Sequence, residues 1–183
     1  MEADVIELAA DLPATPSSAR HSRDSSLREQ ALGHLFLGQL LAEMWRSNQH
    51  DTEVLKGEVD RGGYDLVLEA NGVIRHVQLK SSFVGSKVRQ ISVSTKLLTK
   101  PGGCVVWLEF DPDSLQIERY LWFGAAAGSP LPDIGARITR HSRANSAGQK
   151  NERPLHREVS KSRFEALSGI VPLVNRLFAG PRS

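Results

Sequence analysis

Gly63-Tyr64-Asp65-Leu66-Val67-Leu68-Glu69-Ala70-Asn71-Gly72-Val73-Ile74-Arg75-His76-Val77-Gln78-Leu79-Lys80 is the stretch that decides the fold. Asn-Gly between two β-rich runs is the strongest short hairpin signal, because both central residues of a type I′ turn need positive φ. A two-residue turn sets Ala70 opposite Val73 and, counting back, Asp65 opposite Gln78. Side chains alternate between the faces of a strand. One face then carries Asp65, Val67, Glu69, Ile74, His76, Gln78 and Lys80. The other carries Tyr64, Leu66, Leu68, Val73, Val77 and Leu79, is nearly all apolar, and must pack on a core. The first face gathers an acid, an amide and a lysine, since directly opposed Cβ atoms lie about 4.5–5.5 Å apart.

That grouping suits phosphodiester cleavage. A carboxylate and an amide carbonyl offer hard oxygens to Mg²⁺, the ion polarises phosphate and acidifies a bound water, and an ammonium neutralises charge developing on phosphorus. The plainer alternative is a strand pair with a solvated polar face, because Asp at a strand start and Lys at a strand end are common. His76 shares the face, but a lone His between strands is more often a packing residue.

Working outward, Ser26-Leu27-Arg28-Glu29 reads as a capping box that opens a helix. Ala31, Leu32, Leu35, Phe36, Leu40, Leu41, Met44 and Trp45 continue it at helical spacing to about Arg46. Short strands are expected near 53–59, at 104–110 and at 115–123, with an edge strand and short helix over 91–100. Gly, Pro, Ser and Ala make 124–149 an irregular excursion. Ser162-Arg163-Phe164-Glu165 reads as a second capping box, with Phe164, Leu167, Val171, Val174 and Phe178 striped behind it and Pro172 dividing the helix. Trp45, Trp107 and Trp122 lie in apolar patterns and read as core, and Cys104 as a small buried residue. The expected fold is α/β (α+β), a central mixed β-sheet flanked by helices. Residues 1–24, broken by Pro13 and Pro16 and rich in Ser, read as a disordered leader, and 25–180 as a single domain.

The chain has 183 residues, 40% hydrophobic and 24% charged, with a net charge of +2. No apolar run approaches the ~20 residues of a membrane span. A single cysteine excludes a disulfide framework, and the acidic N-terminus has the wrong sign for a secretion signal, so a cytoplasmic location is expected. From Ala70 to Leu108 there is no acid, and from Ile134 to Arg163 eight Lys or Arg stand against Glu152 and Glu158. Two basic stretches in a nearly neutral chain point to a polyanionic partner, or else to a surface kept soluble by charge.

Gly63-Tyr64-Asp65, the hairpin, and Val77-Gln78-Leu79-Lys80-Ser81 resemble the core of the PD-(D/E)xK nuclease superfamily. There an Asp begins one strand and an acid-x-Lys, or in a minority Gln-x-Lys, ends the next. Val105 to Phe110, Arg119-Tyr120-Leu121-Trp122 and Lys161-Ser162-Arg163-Phe164-Glu165 also resemble an uncharacterised bacterial domain family within it. The likeness covers roughly Leu27 to Phe178. It implies a restriction-endonuclease-like core and a Mg²⁺-dependent endonuclease, a hydrolase of DNA, with Mn²⁺ as substitute ion. Asp65, Gln78 and Lys80 would be catalytic, and Asp65 and Gln78 would hold the metal. Tyr64 stands where the motif has Pro, and Gln78 where it has an acid.

The charge lost at Gln78 calls for another carboxylate. Glu29 shares the inward line of the first helix with Leu32, Phe36 and Leu40 and is the leading candidate, although it is also the capping-box acid. Glu69 and Glu58 are weaker. The basic loops would hold phosphates through Lys87, Arg89, Lys96, Lys100, Arg140, Arg143, Lys150 and Arg153. DNA is the expected partner, duplex or branched undistinguished, with a homodimer left open and no membrane. The alternative function is a catalytically inactive module of the same fold that binds nucleic acid or protein in a defence or mobile-element system.

Overall fold

The structure, a computed structural model, describes residues 24–57, 62–140 and 151–179. The leader, Glu58, Arg143 and Lys150 therefore lie outside the described residues. Helix α1, Ser25–Arg46, is followed by β1, Thr52–Leu55, and by the hairpin of β2, Leu66–Ala70, with β3, Val73–Phe83. Then come β4, Gln90–Ser94, and a 3₁₀ turn, Thr95–Thr99. Next are β5, Gly103–Phe110; β6, Ile117–Gly124; β7, Ile138–Arg140; and β8, Glu152–Ser160. A 3₁₀ turn at Lys161–Arg163, β9, Glu165–Leu167, and α2, Ile170–Phe178, close the chain.

The central sheet is six-stranded in the order β1-β2-β3-β5-β6-β9. It is mixed, because β3 runs parallel to β5 while the other neighbours are antiparallel. This is the α+β architecture expected. Both helices lie on one face of the sheet. Leu32, Phe36, Leu40 and Met44 of α1 and Leu173, Val174, Leu177 and Phe178 of α2 share a core with Leu66, Leu68, Val77, Val106 and Leu108. The other face is covered by a second sheet, β4-β8-β7. Its Val93 and Val159 meet Val105, Trp107, Leu121 and Phe164 in a separate core. The layers thus run helices, six-stranded sheet, three-stranded sheet.

The second sheet corrects the sequence reading. β7 falls in 124–149, expected as an irregular excursion, and β8 follows it where no strand was expected, whereas β4 and the 3₁₀ turn after it match the edge strand and short helix expected over 91–100. The signal was weak because β8 carries Glu152, Arg153, His156, Arg157 and Glu158 and buries only Val159 fully. Both capping boxes fail as well. Helix α1 starts at Ser25 with Asp24 at its N-cap and no side-chain cap bond. At the second box the chain makes a 3₁₀ turn and β9, and α2 begins at Ile170. Pro172 falls in the first turn of α2, where a missing N–H costs no intrahelical bond, so the helix is not divided. In α1, Leu35, Leu41 and Trp45 are exposed rather than core, whereas Trp107, Trp122 and Cys104 are buried as expected.

Arg75 belongs to the architecture, not to the basic surface. It is fully buried on the helix face of β3. Its Nε donates to Leu177 O at 2.6 Å, Nη2 to Arg176 O at 3.0 Å and Nη1 to Ala125 O at 3.1 Å. The last carbonyls of a helix have no intrahelical partners and carry the negative end of its dipole. Arg75 meets both needs and pins α2 to the sheet.

Candidate functional site

The hairpin register is the one read from Asn71-Gly72. Ala70 pairs with Val73, and the pairing holds out to Leu66 with Val77. Asn71 and Gly72 both have positive φ, 53° and 72°, as the turn requires. Beyond Leu66 the two strands part, whereas β3 continues through residues 78–83 in register with β5. The site lies in this notch, where β2 ends and β3 runs on.

Asp65 occupies the notch. Its N–H donates to Val77 O at 2.8 Å, one residue short of the ladder register. Its Oδ2 accepts the Leu79 N–H at 2.6 Å, so the carboxylate stands in for the backbone carbonyl that a continued β2 would have offered. Tyr64 departs from the expected apolar face. It turns to the opposite side, edge-on to the His76 ring at 4.8 Å, with Lys100 Nζ 5.5 Å from its own ring. Gly63 makes that turn possible. Its φ is +76°, and a Cβ there would sit 2.5 Å from Ser94 Oγ.

Gln78 and Lys80 alternate with Val77 and Leu79 and so face the three-stranded sheet. Gln78 is 7% exposed and Lys80 is half-buried. Gln78 Oε1 accepts the Ser94 N–H at 3.2 Å, which ties β3 to the end of β4. The oxygen named for the metal therefore already has a structural partner. His76 is a packing residue, with its Nδ1 2.7 Å from Pro101 O.

The other proposed ligands are not gathered here. Glu29 is exposed on α1, whose buried side covers the helix face of the sheet, while Gln78 lies on the other face. Glu69 is half-buried, stands across from Ile74 and Glu53, and is three residue pairs from the last pair before the notch, Leu66–Val77. Among the described residues no three His, Cys, Asp or Glu side chains cluster as metal ligands. The donors that are present suit a hard divalent ion in kind: one anionic and one carbonyl oxygen. A carboxylate accepts up to about four bonds, so the Leu79 N–H does not exhaust Asp65. Mg²⁺ is commonly held by one or two carboxylates together with waters and substrate phosphates. The fit is that of a one-carboxylate site completed by its substrate.

Three residues near this face escaped the sequence reading. Ser82, two positions past Lys80, accepts the Trp107 Nε1–H at 2.9 Å. Glu109 is the register partner of Ser82, is 3% exposed, and is ion-paired with Lys161 and, at 3.6 Å, with Arg119. Lys161 Nζ also lies 5.4 Å from the Trp107 ring. The available signal was an acid inside the otherwise apolar strand Cys104–Phe110.

The proposed phosphate contacts are dispersed. Lys87 and Arg89, on the turn after β3, and Lys96, on the 3₁₀ turn, are exposed. Lys100 is half-buried against Tyr64. Arg140 is exposed but pairs with Glu152 at 3.5 Å, and Arg153 Nη2 lies 3.1 Å from His156 Nε2. Arg137 pairs with Glu158 at 2.6 Å. The stretch's two acids thus each hold one of its cations, Glu158 taking Arg137 and Glu152 taking Arg140. Among the described residues no helix is long and apolar enough to cross a membrane.

Neither the protein-family models nor the curated proteins compared with this chain include a match.

Proposed function

We propose that the protein is a metal-dependent nuclease that hydrolyses phosphodiester bonds in DNA at the notch formed by Asp65, Gln78 and Lys80. The observation that carries this reading is the Leu79 N–H bond to Asp65 Oδ2, which fixes an acid at the strand end beside the Gln-x-Lys segment. Asp65 and Gln78 would hold Mg²⁺, or Mn²⁺ in its place, and the bound ion would supply Lewis acidity and a water of lowered pKa. Held by Asp65, such an ion would offset the charge of the scissile phosphate. Lys80 stabilises the extra negative charge that develops on the phosphoryl oxygens as the attacking oxygen adds. Its half-burial strengthens that interaction relative to bulk water. Lys87, Arg89 and Lys96 draw in the DNA backbone without reading bases.

The test is incubation with plasmid and oligonucleotide substrates with Mg²⁺, with Mn²⁺ or with EDTA. Cleavage that requires the ion and stops with EDTA supports the reading.

The bond from Ser94 N–H to Gln78 Oε1 favours a second reading. In it Gln78 serves the fold alone, and the domain is an inactive module that binds nucleic acid or protein, for instance as an accessory subunit of a defence or mobile-element system. DNA binding with no cleavage under any ion supports that alternative.

A further inference from the structure

The acid inside β5 holds more cations than its charge requires. Glu109, with a side chain 4% exposed, pairs with Lys161 of the second 3₁₀ turn and, at 3.6 Å, with Arg119 of β6. A buried carboxylate must be paired, and one cation neutralises it. The second is surplus. Both cations also stay in contact with water, at 29% side-chain exposure for Lys161 and 55% for Arg119. Arg89 adds to the surplus. Its carbonyl accepts the Lys161 N–H at 2.8 Å, so the start of β4 lies against the turn, and its side chain is exposed. The nearest acid along β8, Glu158, is already taken by Arg137 at 2.6 Å and Gln90 at 2.7 Å. Three cations thus stand around one acid.

Hydroxyls accompany them. Ser160 and Ser162 flank Lys161, are exposed, and bond to each other at 2.9 Å. Whichever of the two donates, the other keeps an O–H to give. The cluster also lies in line with the notch. Gln78, Lys80 and Ser82 share one side of β3, and their partners across the parallel pair are Val105, Trp107 and Glu109. Ser82 and Glu109 stand at the carboxyl ends of these two strands, the end at which α/β sheets take their ligands. From Gln78 to Ser82 is four residues, about 13 Å along the strand. That is roughly four nucleotide steps of about 3.4 Å.

We propose that Lys161, Arg119 and Arg89, with the Ser160 and Ser162 hydroxyls, form a second phosphate site, which grips a backbone phosphate of the nucleic acid roughly four nucleotides from the scissile bond. The proposal rests on the notch at Asp65 being the place of cleavage. Glu109 is the resident counter-ion of the site. It holds Lys161 and Arg119 in position before nucleic acid arrives, and afterwards shares them with the phosphate. Cations held in advance lose less freedom on binding than free side chains do. A device that only fastened the turn to the sheet would need one of these cations, not three.

Affinity of the full chain for duplex DNA in EDTA, measured at several salt concentrations beside a melting curve for each variant, tests this apart from cleavage. Lys161→Met and Arg119→Met are each expected to weaken binding several-fold and to shallow the salt slope by about 0.9. Glu109→Gln is expected to tighten binding, because it releases both cations to the phosphate. Glu53→Gln makes the same charge change on the exposed edge strand β1 and is expected to leave affinity unchanged. Glu109→Gln combined with Lys161→Met replaces the ion pair by a neutral one, which protects the fold, and is expected to bind more weakly than Glu109→Gln alone. Variants that melt lower but keep the wild-type affinity and slope overturn the proposal and leave a structural pin. Equal tightening by Glu109→Gln and Glu53→Gln also overturns it. Inorganic phosphate that raises the melting temperature of wild type but not of Lys161→Met, with duplex affinity equal in the two, overturns the nucleic-acid assignment in favour of a free phosphate. The expected affinity changes in a chain that cleaves with no ion support the phosphate site and sink the nuclease reading, whereas ion-dependent cleavage with unmoved slopes does the reverse.

Discussion

Asp65 Oδ2 and the Leu79 N–H meet at 2.6 Å, and through that bond a side chain completes a ladder that the backbone of β2 has left. On the proposed reading Asp65 has two separable duties, this bond and the metal. Asp65→Asn keeps an acceptor for the Leu79 N–H, so its cost to folding should stay within about 1 kcal/mol, or roughly 2–4 °C in a chain of this size. The charge is lost, and with it metal-dependent cleavage. Melting curves beside plasmid cleavage, repeated with excess Mn²⁺, separate the two duties. A variant that melts like wild type and cleaves like wild type removes Asp65 from the chemistry.

Gln78 also separates by substitution. Gln78→Glu keeps an acceptor for the Ser94 N–H and restores an anionic oxygen, so cleavage should be preserved or raised. Gln78→Leu leaves that buried N–H unpaired, a cost of about 1–3 kcal/mol. Denaturant midpoints and cleavage rates on both variants check this. If Gln78→Glu gains activity where wild type has none, the inactive-module reading wins.

The basic residues divide by partner. Lys87→Ala and Arg89→Ala should weaken DNA binding and shallow its salt dependence by about 0.9 per lost phosphate contact. Arg140→Ala should change little, because Glu152 already neutralises it at 3.5 Å. Arg75→Met should leave the salt slope untouched and lower the melting temperature, since it strips three carbonyls of their buried donor. Binding curves at several salt concentrations, set beside thermal melts, show each pattern. Equal slopes for wild type and Lys87→Ala would remove that residue from the DNA contact.

Stability should fall on the alkaline side. Burial pushes the Cys104 thiol up from 9.0 to about 12, opposed in part by the Arg75 charge, and pushes Tyr120 up from 10.0 to about 12. Above the ordinary values the unfolded chain gives up protons that the folded chain keeps. The folded state therefore loses ground from about pH 9 to about pH 12, by up to ~1.4 kcal/mol per pH unit for Cys104. Urea midpoints measured across that window should decline, and Cys104→Ala should flatten the decline. Equal slopes for the variant and wild type would contradict this account of Cys104.

The hairpin was legible because Asn71-Gly72 fixes its register and Leu66, Leu68 and Val77 mark its buried face. The face change at Tyr64 was not, because it depends on Gly63 turning against Ser94, a residue 31 positions later in the chain. The second sheet was hidden by strand β8, whose polar residues pair with their own neighbours. Glu29 was drawn inward by periodicity alone. The period shows which line of α1 points to the sheet, but not that the sheet's catalytic candidates face the other way. Leu35, Leu41 and Trp45 of α1 were visible as apolar residues, and only the burial pattern separates them from the core line.

The central claim rests on Lys80, and the most direct measurement is cleavage of supercoiled plasmid by wild type and Lys80→Ala with Mg²⁺ and with EDTA, alongside DNA affinity and a melting curve for each. On the proposed reading, Lys80 acts on charge that appears only in the transition state, while ground-state grip comes from other cations. The account predicts Mg²⁺-dependent cleavage by wild type that falls by roughly 100-fold or more in Lys80→Ala, with affinity and melting little changed. Wild type and Lys80→Ala cleaving at the same rate would contradict it.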